Sequence, residues 1–441
     1  MRTTNLLQRF IQASALGLAL FIGAGAQAQF GEAAGIAEAM QPDYYRRDIV
    51  LFQQGLNLDD SQRDIMDALY SDYEQAFESG LANMRKKIED MREQLQNTDV
   101  DQVLRIVFKP IEDWSNEKRG IGAQFLESVK VVLTPEQMEQ WPKFERFLFR
   151  EKHLPTGTLS GESLNLFNIV RDMKLSGPET ERMQPTLDEY DVTLDVALKA
   201  RHDALTSNQS EMLRSFAEQN SAVSLAILQR QIGKSIAVRD VNDQYTLLLS
   251  TVMPDGLQSE FLAKALERAY PRIFRPTPVQ SIFKSAKELE GLSADTHAAI
   301  IELEGQYLSE LKAINEELVT ATRKWEPDEQ RLRAEAFAKR MAGQQSEEIQ
   351  DPTRDIFVRR DDISRKYTRL LKALLTEEQF AQLPGGYRWA DLPVEEKPAA
   401  VEAMPTGDNA SQNAARGSAS RSRTSEKSGR DGGKPDSKGG G

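Results

Sequence analysis

His153, His202 and His297 are the chain's three histidines. Histidine is the side chain best suited to pass a proton near neutral pH or to hold zinc. A helical metal site sets two of them a turn apart, as in H-E-x-x-H. None of the three has another histidine at that spacing. They read as scattered surface residues, and no metal is expected. A serine nucleophile served by a lysine gives S-x-x-K, which Ser115 with Lys118 and Ser281 with Lys284 match. The S-D-N and K-T-G strings that accompany that motif in its enzymes do not occur. There is no G-x-S-x-G elbow and no phosphate-cradling G-x-x-x-x-G-K-[ST] loop. Carboxylates are so numerous that no acid/base pair stands out. The reading is a protein without catalytic residues or a cofactor.

The chemistry that does recur is helix capping. Leu133-Thr134-Pro135-Glu136-Gln137 and Leu375-Thr376-Glu377-Glu378-Gln379 share an L-T-x-x-Q string. Thr at an N-cap accepts from an orphan backbone N–H, and Gln three positions on reaches back to the cap's own N–H. Leu133 with Met138, and Leu375 with Phe380, are expected to form hydrophobic staples across the cap. Pro135 suits the first helical position, and Glu136, Glu377 and Glu378 suit the positive end of the helix. The string therefore sets a corner between a long helix and a shorter one. Met253-Pro254-Asp255-Gly256-Leu257 occupies the same place in the middle of the chain but lacks both Thr and Gln.

These corners belong to a repeat. Leu58 with Tyr73, Leu175 with Tyr190, and Leu292 with Tyr307 recur with 117 residues between successive copies. Each leucine precedes a helix start: Asp59 with Gln62, Ser176 with Glu179, and Ser293, where Thr296 cannot close the box. In the first copy the apolar stripe is expected to run through Ile65, Leu69, Tyr73, Phe77, Leu81, Met84, Ile88, Met91 and Leu95, in a helix reaching Gln96. After a loop near Thr98, a second helix carries Val103, Ile106, Val107, Ile111, Trp114 and Phe125. Phe125, Tyr245 and Tyr367 each stand eight positions before Leu133, Met253 and Leu375. The tyrosines fall on the apolar stripe and are expected in the core. Arg85, Lys86, Lys87 and Arg92 read as a solvated face among acidic neighbours.

With its capped leucine start, long helix and LTxxQ corner, the chain resembles the periplasmic LTxxQ-motif proteins of the Spy/CpxP type. That resemblance implies small helical proteins that dimerise into a cradle of antiparallel helices. It implies ATP-independent chaperone action or a role in envelope stress, with no catalytic residues. It would cover Leu51 to Leu383 as three copies in one chain, where family members carry one.

Composition agrees with export and with helices. Arg2 and Arg9, the apolar run Ala13 to Ala24 and Ala26-Gln27-Ala28 form an export signal cleaved near Ala28. The run is shorter than the ~20 residues a spanning helix needs. The absence of cysteine removes disulfides, thiolate metal sites and c-type haem. The formal charge of −12 falls to −14 once Arg2 and Arg9 leave. Such a surface disfavours nucleic acid. From about Ala400 the chain is rich in Ser, Gly, Asn, Arg and Lys, and reads as disordered. The expected organisation is all-α: signal 1–28, helical-hairpin modules at 45–153, 162–275 and 280–390, and a tail at 400–441, elongated overall. Its expected partners are unfolded or envelope proteins, held in shallow apolar grooves. The alternative is a scaffolding repeat protein of the envelope.

Overall fold

The computed structural model describes residues 39–385 apart from 92–99, 209–210, 213, 216–219 and 342. The signal at 1–28 and the tail at 400–441 lie outside these residues, as do Leu95, Gln96 and the loop near Thr98. The side chains of Val103, Ile106 and Val107 are outside the description too. By contacts the chain divides into Met1–Asp391 and Leu392–Gly441, and every described residue falls in the first unit.

Among the described residues the regular structure is helical, with no strand. In chain order the helices are α1 (Arg46–Gly55), α2 (Asp60–Asp90), α3 (Val100–Val132), α4 (Pro135–His153), α5 (Leu166–Asp172), α6 (Gly177–Thr206) and α7 (Ser221–Val252). There follow α8 (Gln258–Ala269), α9 (Pro271–Phe274), α10 (Pro278–Lys287), α11 (Ala294–Met341), α12 (Thr353–Leu374) and α13 (Glu377–Ala381). The dominant packing is between neighbours: α2 with α3, α6 with α7, and α11 with α12. A short helix (α1, α5, α10) precedes each pair, and another (α4, α8, α13) follows it. Helix α10 begins at Pro278, between the second expected segment and the third.

The buried line of α2 differs from expectation at its start. It runs Met66, Tyr70, Tyr73, Phe77, Leu81, Met84 and Ile88, while Ile65 is 43% exposed. Two successive steps of four, 65 to 69 to 73, over-rotate a helix of 3.6 residues per turn. Met66 and Tyr70 keep the mean step right. Helix α2 also ends at Asp90, with Met91 as its C-cap, short of Gln96. Gly80 lies under Trp114, whose ring leaves no room for a Cβ there. The indole N–H of Trp114 donates to the Ala39 carbonyl at 2.7 Å.

Buried apolar residues fall into three clusters that do not map one to a pair. The first pair holds two: one around Phe52, Tyr73, Phe125 and Phe144, the other around Phe77, Met84 and Trp114. The second and third pairs share one continuous core from Leu154 to Leu383. Helix α11 crosses this shared region and contains Pro327. Proline has no N–H, which frees the carbonyl four residues back, on Arg323. The buried Arg239 of α7 donates to that carbonyl at 3.2 Å.

The backbone entering each long pair bends the same way. Asn57, Lys174 and Gly291 all have positive φ, at 50°, 51° and 77°. Each directly precedes a repeat leucine: Leu58, Leu175 or Leu292. Asparagine and glycine accept the left-handed region, whereas lysine is strained there by about 1–2 kcal/mol. Lys174→Gly should therefore stabilise the chain by about 0.5–1 kcal/mol, and Gly291→Ala should destabilise it by about 1 kcal/mol. Urea midpoints of the two variants should move in opposite directions.

Candidate functional site: tyrosine anchors and capped corners

The three repeat tyrosines occupy matching places. Each lies on the first long helix of its pair with its ring against an aromatic of the second. Ring centroids are 5.1 Å apart for Tyr73 and Phe125, 5.3 Å for Tyr190 and Tyr245, and 5.4 Å for Tyr307 and Tyr367. All six are buried. Each hydroxyl then bonds to the segment leading into the preceding short helix. The Tyr73 oxygen accepts the N–H groups of Asp43 (2.7 Å) and Tyr44 (3.1 Å). The Tyr190 hydroxyl donates towards Asn242 Oδ1 (2.8 Å), with the Leu164 carbonyl at 3.2 Å. The Tyr307 hydroxyl lies 2.6 Å from Thr277 Oγ1.

Burial raises all three phenols above their ordinary pKa. They stay protonated and act as hydrogen-bonding anchors rather than as bases. The residue three before each second-helix aromatic completes the arrangement: Gly122, Asn242 or Ser364. The Asn242 amide donates to the Gly161 and Glu162 carbonyls at 2.9 Å each. A Cβ on Gly122 would come within 3.0 Å of Asp43 Oδ2, so glycine leaves room for that carboxylate. Sequence reasoning missed this position, although counting back from Phe125, Tyr245 and Tyr367 would have found it.

The corner residues stand at helix mouths. Thr134 caps α4, its Oγ1 accepting the Gln137 N–H at 3.3 Å while Gln137 Oε1 accepts the Thr134 N–H at 2.9 Å. Thr376 and Gln379 do the same for α13, at 3.2 and 3.0 Å. Leu133 and Leu375 are half-buried and pack on their cores. Phe380 is buried with Leu375, whereas Met138 is exposed beside Leu133. Leu58 is buried, and Leu175 and Leu292 are half-buried.

In the first pair the corner is knotted further. The Gln137 and Gln62 amides pair reciprocally at 2.8 and 3.0 Å. Gln137 also donates to the Leu56 carbonyl at 3.0 Å, and Gln62 to the Val132 carbonyl at 2.9 Å. The starts of α2 and α4 and the end of α3 are thereby joined. In the second pair no side chain caps α8, which begins after Gly256 at φ +85°. A third threonine–glutamine box, Thr277 with Gln280, opens α10. It escaped the motif because Pro276 stands where leucine does elsewhere. Thr277 thus serves the cap and the Tyr307 anchor together.

The histidines depart from the surface reading. His297 is exposed, but His153 and His202 are half-buried and in contact, their rings tilted by 50° with centroids 4.4 Å apart. They come from α4 and α6, so no sequence spacing could pair them. Among the described residues no group of three His, Cys, Asp or Glu side chains is placed to hold a metal ion. No described helix is long and apolar enough to cross a membrane. Comparison with protein-family models, curated proteins and solved structures finds no match to this chain.

Tyr190→Phe leaves the buried Asn242 and Leu164 acceptors short of a donor and should cost about 1–3 kcal/mol. Thr134→Ala removes only an exposed cap and should cost about 0.5–2 kcal/mol. Thermal unfolding of the two variants should rank them in that order.

Proposed function

We propose that this is an exported periplasmic protein that holds unfolded or envelope proteins without ATP, cofactor or catalytic residues. In this reading the three helix pairs are copies of one LTxxQ-type module, in the manner of the Spy/CpxP proteins that the corner residues resemble. Support for the repeat comes from the common spacing of the anchors, caps and left-handed turns. Cleavage near Ala28 completes the proposed mature chain.

The observation that carries the binding role is apolar surface left in water on charged helices. Val131 is 86% exposed, Val192 51%, and Val196 and Leu247 64% each. On the third pair Ile301, Leu308, Leu370 and Leu374 are exposed as well. One such side chain is ordinary. Recurrence on all three pairs, between acids and bases, suits weak and exchangeable contact with unfolded segments. A scaffolding role without chaperone action is the second reading. It is favoured by the single core that unites the second and third pairs.

Light scattering of a denatured, aggregation-prone enzyme tests the first reading. The full-length mature chain should suppress aggregation at a few-fold excess. Replacing Val192, Val196 and Leu247 together by serine should weaken that suppression, with stability changed by about 0.5 kcal/mol or less per site. No suppression by the wild-type chain at a several-fold excess would leave the scaffold reading in place.

A further inference from the structure

The repeat that aligns Tyr73, Tyr190 and Tyr307 also aligns one face of α2, α6 and α11. On α6 that face is covered. Helix α4 leaves the first pair at the Thr134 corner and lies along it. Lys143 reaches Asp188 at 3.3 Å, Arg146 reaches Asp191 at 2.6 Å, and Arg150 bonds Asp191 as well. Phe149 of α4 packs on the shared core. Asp188 and Asp191 stand two positions before Tyr190 and one after it. This face of the repeat is therefore a seat for a helix that combines apolar and basic side chains.

On α11 the matching positions are Gly305 and Leu308, with Ile301 and Ala298 in line behind them at helical steps of four and three. Here the seat is apolar and open. Ile301 is 49% exposed and Leu308 41%, and a Cβ on Gly305 would meet nothing within 4 Å. Helix α8, which follows the second pair as α4 follows the first, packs on α5, α7 and α9 instead. On α2 the same stripe is Asp64, Asp67, Ser71 and Glu74, all exposed and suited to water. A glycine in mid-helix gives up helix propensity, and one with free space above it lets another backbone come close. Exposed carboxylates edge the α11 stripe: Asp295 near its start, Glu302 beside Ile301, and Glu316 beyond Leu308, against Lys312.

We propose that the Ile301–Gly305–Leu308 face of α11 is a docking seat for an amphipathic helix of a partner protein, apolar on one side and basic along its flank. The apolar side of that helix covers Ile301 and Leu308, and its backbone comes close over Gly305. Its Lys or Arg side chains meet Glu302 and Glu316, as those of α4 meet Asp188 and Asp191. The seat shares Ile301 and Leu308 with the surface that holds unfolded chains, but it goes beyond that role. It takes one folded helix at a fixed place, whether or not the chain suppresses aggregation.

The chain has no cysteine, so a single environment-sensitive dye can be placed beside the seat in the full chain. Ser309→Cys, an exposed position next to Leu308, carries it. The probe is a synthetic helix-patterned peptide of about 18 leucines and lysines, with a leucine–glutamate peptide as its counterpart. The lysine peptide should shift the dye's emission saturably and with one-to-one stoichiometry. Ile301→Ser with Leu308→Ser should weaken that binding by about tenfold or more. Should this variant lose helicity by circular dichroism, Gly305→Arg decides: its side chain enters open space, sets a cation in the seat, and must weaken binding likewise. Replacing Val192, Val196 and Leu247 by serine should leave the dye response unchanged. Absent suppression of aggregation with an intact dye response would sink the holding role and leave the seat standing. A silent dye up to about 100 μM peptide overturns the seat. So does equal binding of the glutamate peptide. A response that survives in the seat variants, or that appears only with the dye at Ser71→Cys, overturns it as well and assigns binding to the acidic face of α2.

Discussion

The constraint on which the rest depends is the buried tyrosine hydroxyl. A phenol inside a helical core costs free energy unless its oxygen is satisfied. Here each one meets groups about thirty residues upstream, at Asp43 and Tyr44, at Leu164, and at Thr277, and Tyr190 also donates towards Asn242 of the returning helix. The ring meanwhile packs on an aromatic of the returning helix. One side chain therefore holds three segments: the lead-in, the outgoing helix and the helix that comes back. The lead-in is thereby tied to the register of each pair.

The capped corners act at a different level. A threonine–glutamine box sets where a helix begins, and its hydrogen bonds are local. In the first pair the same glutamine also grips the Leu56 carbonyl and Gln62, so a local signal becomes a tertiary joint. In the second pair, where the box is missing, α8 begins after a glycine turn and Phe261 buries itself in the shared core instead. Hydrophobic packing there takes over what hydrogen bonding does at the other corners.

This difference explains what could be read from residues alone. Helical class, cap residues and the spacing of the tyrosines are local or periodic properties, and they are visible in the chain as written. The displacement of the buried line to Met66 and Tyr70 required correct rotation over several turns, and two tempting steps of four misled. The His153–His202 contact, the Gln62–Gln137 pair and the meeting of Arg239 with the Arg323 carbonyl join residues far apart in sequence. No short-range pattern encodes them. Thr277 was hidden because a proline replaced the expected leucine, although the cap chemistry beside it was intact.

Pro327 interrupts the ladder of α11, and the guanidinium that accepts the vacancy comes from α7. The longest helix is thus spliced by a donor that it does not own. Satisfaction of the Arg323 carbonyl is therefore a tertiary property of the fold. The proline leaves a carbonyl in mid-helix whose donor belongs to the preceding hairpin. Loss of α7 would therefore be felt at mid-helix in α11, far from either of its ends.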